Sequence, residues 1–194
     1  MKTRPIIFNT DMVQAILRGQ KIVTRRPIKP PYEVHRRGSL VTLTHPDRYG
    51  GRFDPYPCPL GRLGDRLWVR ETFFKYWPTP GSTKPAALYR ADGITLCDRD
   101  SEGMKQRWTP SIHMPRELSR ITLEITGIAV ENVQDIVDDE AILEGFPPYD
   151  APREHFRKTW DAIYAKRGLG WKANPLVWVI TFKRIEEGND ARTE

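Results

Sequence analysis

The sequence predicts an α+β fold, a small β-barrel or strongly curved sheet with short helices packed at its mouth, on three observations. Several short segments alternate apolar and polar residues with the period of a half-buried strand. The few segments with helical spacing are short. Between these elements lie residues 27–62 and 76–115, rich in Pro, Gly and charge, which read as long loop insertions. A chain of 194 residues suits one domain, placed at residues 1–186, with residues 187–194 as a flexible tail. No internal repeat or low-complexity stretch interrupts it.

Residues 4–9 read as a first strand feeding a helix over residues 11–18, where Met12, Val13, Ile16 and Leu17 share one face. Asn9 or Thr10 is the available N-cap, and Gly19 the left-handed residue that ends the helix. The next eight residues, Gly19-Gln20-Lys21-Ile22-Val23-Thr24-Arg25-Arg26, are expected to form a loop. Residues 39–44 read as a strand and residues 45–61 as an irregular excursion. The Gly64-Asp65 turn then leads into residues 66–73, the best candidate for a central strand.

Residues 120–126 alternate with Ile121, Leu123 and Ile125 on one face, and Gly127 permits a bend before the strand continues through Val133. Residues 135–143 are acidic and helix-prone, with Gly145 as the terminator. A further helix over residues 152–164 places Phe156, Trp160, Ile163 and Tyr164 on one face. Residues 176–185 form a closing strand in which Trp178, Ile180 and Phe182 alternate with Val177, Val179 and Thr181.

Composition narrows the setting. Six Trp, seven Tyr and seven Phe are ample for a packed core, and no apolar run is long enough to span a bilayer. The apolar run after Met1-Lys2-Thr3-Arg4-Pro5 is too short for a signal peptide. Cys58 and Cys97 form no CxxC pair, which argues for a reducing compartment, so a cytoplasmic location is expected. The net charge of +6 is concentrated at the start: residues 1–75 hold 15 Lys and Arg against 6 Asp and Glu, the rest 16 against 19. Such a basic half is compatible with RNA, with a nucleotide, or with solubility alone. His35, His45, His113 and His155 show no metal-ligand spacing, and neither a metal nor a cofactor is expected. Cys58 has no neighbouring histidine to make it a nucleophile.

The chemistry is concentrated after the first helix. Threonine paired with lysine is one way to build an activated nucleophile, with Thr24 Oγ as the attacking atom and Lys21 as its base. A free lysine is protonated at pH 7, so this role requires burial, or the charge of Arg25 or Arg26, to lower its pKa. By spacing alone, Lys21 is more often a solvated residue and Thr24 a turn cap. Arg25, Arg26, Glu71 and Trp68 are candidates for contacts to a substrate. Periodicity places Trp68, Trp160 and Trp178 in the core, while Trp108 and Trp171 lie in loops where either could cover a flat base. Glu144, at the C-terminal turn of the acidic helix, opposes the helix dipole, which favours a functional reason for it.

Four features together resemble the ASCH domain, a PUA-like β-barrel related to RNA-binding modules. They are Gly19-x-Lys21-x-x-Thr24-x-Arg26 after a short helix, the Gly64-Asp65 turn, Glu144-Gly145 in the acidic helix, and a last strand containing Val-Ile-Thr-Phe. The longer layout is similar to prophage-type ASCH proteins around Trp68-Val69-Arg70-Glu71 and Ser111-Ile112-His113-Met114-Pro115. The small bacterial members that release acetate from N4-acetylcytidine use a lysine and a threonine of this motif with a glutamate from the later helix. The resemblance therefore implies Lys21, Thr24 and Glu144 as catalytic residues, with Glu140 and Glu71 as other matches for the glutamate. It implies a modified pyrimidine nucleoside or base as partner, or RNA, since other members bind or cleave RNA. A monomer is the simplest expectation, and no membrane is implied.

Overall fold

The structure, a computed structural model, describes residues 1–29, 32–37, 40–44, 57–97 and 105–185. Residues 45–56 of the expected excursion over 45–61, His45 among them, part of the second insertion and the expected tail lie outside the described residues. The strands are β1 (Thr3–Ile7), β2 (Val23–Pro27), β3 (Glu33–Arg37), β4 (Leu40–Thr44), β5 (Arg66–Arg70), β6 (Phe73–Tyr76), β7 (Ala86–Tyr89), β8 (Thr122–Asn132) and β9 (Leu176–Ile185). The α-helices are α1 (Thr10–Leu17), α2 (Asp138–Leu143) and α3 (Pro152–Tyr164).

Five strands form one sheet in the order β1-β5-β8-β9-β2, with β3-β4 and β6-β7 as separate two-stranded ribbons. The β1–β5 pair is parallel and the other pairs of the main sheet antiparallel. Among the described residues no strand pairing joins β1 to β2, so the expected barrel is seen as an open ladder. The two edges nevertheless communicate: Arg26 of β2 donates from Nη2 to the Ile7 carbonyl of β1 at 2.7 Å.

Apolar side chains pack on both faces of this sheet. Ile6, Val13, Ile16, Leu67, Leu123 and Ile180 belong to one cluster, which includes the α1 face. Val177 and Val179, pointing the other way from β9, join Ala141 of α2 with Phe156, Trp160 and Tyr164 of α3. The alternation expected along residues 176–185 thus serves two cores. Ile163, expected on the buried face of α3, is 52% exposed, because the helix packs through the i, i+4, i+8 row 156, 160, 164.

Two other expectations change. Residues 23–27, expected in a loop, are the edge strand β2, paired with β9 from Val23 opposite Thr181 to Pro27 opposite Val177. The expected central strand ends at Arg70 and sits between β1 and β8, one place from the edge. The bend in β8 falls where expected: the register with β9 shifts between Ile125 and Gly127. A Cβ at Gly127 would lie 3.2 Å from the Thr181 side chain, a close approach that favours glycine there.

Candidate functional site

Two helix ends build the site by the same device. At α1, Gly19 has φ of +73°, its N–H bonds the Ile16 carbonyl, and the Gln20 N–H bonds that of Ala15. At α2, Gly145 has φ of +97°, with Gly145 N–H on Ile142 and Phe146 N–H on Ala141. Both are Schellman endings, in which glycine reverses the chain and satisfies the last carbonyls. The two ends abut: a Cβ on Gly145 would lie 2.8 Å from the Ala15 Cβ and 3.2 Å from the Lys21 Cβ. The Ile22 N–H, donating to Leu143 at 3.0 Å, ties them together. Lys21 and Glu144 meet as a consequence.

The contact is close and buried. Lys21 Nζ donates to Glu144 Oε2 at 2.6 Å, to the Glu144 carbonyl at 2.8 Å and to the Val23 carbonyl at 2.7 Å. Three acceptors match the three protons of an ammonium, so the resting pair is ammonium and carboxylate. Burial opposes that charge and lowers the Lys21 pKa below the ordinary lysine range. Glu144 pulls the other way, while Arg26 and Arg25 add to the lowering.

Arg25 organises the carboxylates around it. Its guanidinium, 1% exposed, lies 2.8 Å from Glu140, 3.2 Å from Glu131 and 3.5 Å from Glu144. Arg26 faces the aromatic ring of Phe8, its Cζ 5.2 Å from the ring centre. The Nε atoms of Arg25 and Arg26 are both buried and without a hydrogen-bond partner.

Lys21, Thr24, Arg25, Arg26 and Glu144 line one cavity of about 420 Å³. Its buried walls are aromatic, from Phe8, Phe156, Trp160 and Tyr164, with Phe146 beside them. Its half-exposed and exposed rim carries Asn9, Thr10, Thr72, Ser111 and Thr159. Trp160, expected in the core, is buried and also forms part of this wall. Apart from Ser111, which lies in the Ser111–Pro115 segment, these wall and rim residues had no motif to mark them; the apolar face of α3 was legible as a face, without the cavity it borders.

Four expected site residues are brought together with Lys21, namely Thr24, Glu144, Arg25 and Arg26, and two are not. Glu71 is buried beside Arg120, whose Nε and Nη2 each reach a carboxylate oxygen at 3.0 Å, and burial raises its pKa. Trp68 lies under the Arg70 guanidinium, 5.4 Å from its ring centre. Neither Glu71 nor Trp68 lines the cavity. Glu140 holds Arg25 and accepts from the Val137 N–H, also outside the cavity. Among the three glutamates considered, Glu144 is the one at Lys21. Trp171 packs edge-on against Phe156, ring centres 6.2 Å apart, and burial raises the Cys58 pKa.

No family model matches the chain, and no curated protein matches it. The structure is similar to an ASCH domain from Lactobacillus crispatus JV V101, at 13% identity over 94% of this chain and 79% of that one, with a TM-score of 0.44. It is also similar to a protein from Enterococcus faecalis V583 described under DUF984. That likeness has 10% identity over all of this chain and 86% of the other, with a TM-score of 0.46. No helix among the described residues is long and apolar enough to cross a membrane.

Proposed function

We propose that this chain is an ASCH-type amidohydrolase that removes the N4-acyl group from acylated cytosine nucleosides. The observation that carries the reading is the buried Lys21–Glu144 pair opening, with Thr24, onto a cavity with aromatic walls. A flat pyrimidine suits those walls, and the acyl carbonyl is directed at Thr24. Arg26, with its buried Nε unpartnered, supplies a donor for the carbonyl oxygen.

The proton balance closes within the pair. A proton passes from Lys21 to Glu144, leaving an amine and a carboxylic acid. Thr24 Oγ attacks the acyl carbon as the amine takes its proton, and Glu144 gives its proton to the N4 nitrogen as the C–N bond breaks. The pair is then ammonium and carboxylate again, with the acyl group on Thr24. Water repeats the sequence to release the acid and restore the hydroxyl.

The test is release of cytidine from N4-acetylcytidine, followed by ultraviolet absorbance. Wild-type protein turns over, and Lys21→Ala and Glu144→Ala each lose about 100-fold or more, the scale of a positioned acid or base. Absence of turnover by folded wild-type protein on acetyl and bulkier acyl substrates contradicts the reading. Binding of RNA, with steep salt dependence, would then take its place.

A further inference from the structure

We propose that Thr72 and Ser111 form the specificity edge of the cavity and bind the sugar hydroxyls of a nucleoside, so that cytidine is held in preference to the free base. The inference deepens the hydrolase reading and relies on it for the direction in which the base enters. The cavity has a gradient from floor to mouth. Lys21, Thr24 and Glu144 are buried among aromatic rings, whereas the more exposed lining combines the small hydroxyl and amide side chains of Asn9, Thr10, Thr72, Ser111 and Thr159 with the aliphatic Ile7 and Ile163. A ligand with a flat part and a hydroxylated part fits that gradient base first.

Ser111 is remote in sequence from the catalytic motif, and a dedicated set of contacts brings it to the mouth. Arg70 donates from Nε to the Met114 carbonyl at 3.1 Å and from Nη2 to the Ile112 carbonyl. Thr109 and Phe73 exchange backbone hydrogen bonds of 2.7 and 3.1 Å. Met114 is fully buried against Phe73 and Leu118, and its sulfur accepts from the Glu71 N–H at 3.4 Å. These contacts fix the turn Ser111–His113 on the junction that carries Thr72, between β5 and β6. Both residues are half-exposed, as groups that exchange water for a ligand must be. Arg70 acts as the positioning residue for Ser111.

The experiment is calorimetric binding of cytidine and of cytosine to wild-type protein and to the double variant Thr72→Val, Ser111→Ala, with circular dichroism to verify the fold. Wild-type protein is expected to bind cytidine at least about tenfold more tightly, at about fivefold per neutral hydrogen bond. In the double variant the two ligands should bind within about twofold of each other. Equal binding of both ligands by wild-type protein, retention of the preference by the folded double variant, or binding of neither ligand overturns the inference. Failure of the hydrolase reading has a different signature: no release of cytidine from N4-acetylcytidine while the cytidine preference and its loss are observed, an outcome that upholds the sugar edge.

Discussion

Arg25 shows how the site is held at the level of single side chains. It is buried and faces Glu131, Glu140 and Glu144, so it is the cation that lets three carboxylates converge on one point. Arg25→Met should cost about 1.5 kcal/mol in urea denaturation, since Glu131 and Glu140, each about a third exposed, lose their partner while Glu144 keeps Lys21. A loss within about 0.5 kcal/mol would show that the glutamates are solvated enough to need no partner. Lys21 makes a pH prediction. Because burial lowers its pKa, the shared proton leaves the pair below the ordinary lysine value of 10.5, and turnover should fall on the alkaline side before that pH is reached. The same shift means that the folded chain binds fewer protons at Lys21 than the unfolded chain in that window. Its contribution to stability therefore rises with pH there, in contrast to the loss of activity.

At the scale of elements, the two Schellman endings carry the geometry. Gly145→Ala would put a methyl group 2.8 Å from the Ala15 Cβ at a positive φ. It should lower stability by about 2 kcal/mol or more in thermal denaturation and reduce turnover by displacing Glu144. Gly19→Ala has open space around the added carbon, so it should meet the backbone penalty alone, about 1 kcal/mol. An equal cost for both would refute the packing argument.

These endings were legible in the sequence because glycine after an apolar-periodic run has one common meaning. So were β8 with its bend, β9 and α3. β2 was not, because Val23, Thr24 and Arg25 are buried on successive positions. A strand covered on both sides, with its buried Arg25 held by ion pairs, shows no alternation. Glu144 could be suggested by its place at a helix end, but only the fold separates it from Glu140, which lies one turn earlier and points to Arg25.

For the whole molecule, the basic first half takes on another meaning. Several of its cations are committed internally: Lys21 and Arg25 to carboxylates, Arg4 to Asp65, and Arg26 and Arg70 to backbone carbonyls. The Asp65 pKa is held at about 2, first by the Lys2 N–H and then by Arg4. The charge excess therefore overstates the positive surface open to an RNA strand. KM for a neutral nucleoside should change less than about twofold between 50 and 200 mM salt, where a strand held by six or more phosphate contacts would weaken by about 1,000-fold. A steep rise of KM with salt would point to phosphate recognition.

The central claim is that the Thr24 hydroxyl attacks the acyl group, and one pair of variants tests it most directly. Thr24→Val keeps the shape and removes the oxygen, while Thr24→Ser keeps the oxygen. On N4-acetylcytidine, Thr24→Ser should retain turnover within about tenfold of wild type, and Thr24→Val should lose at least about 1,000-fold. Turnover by Thr24→Val at the wild-type rate would contradict the account and move the nucleophile to water.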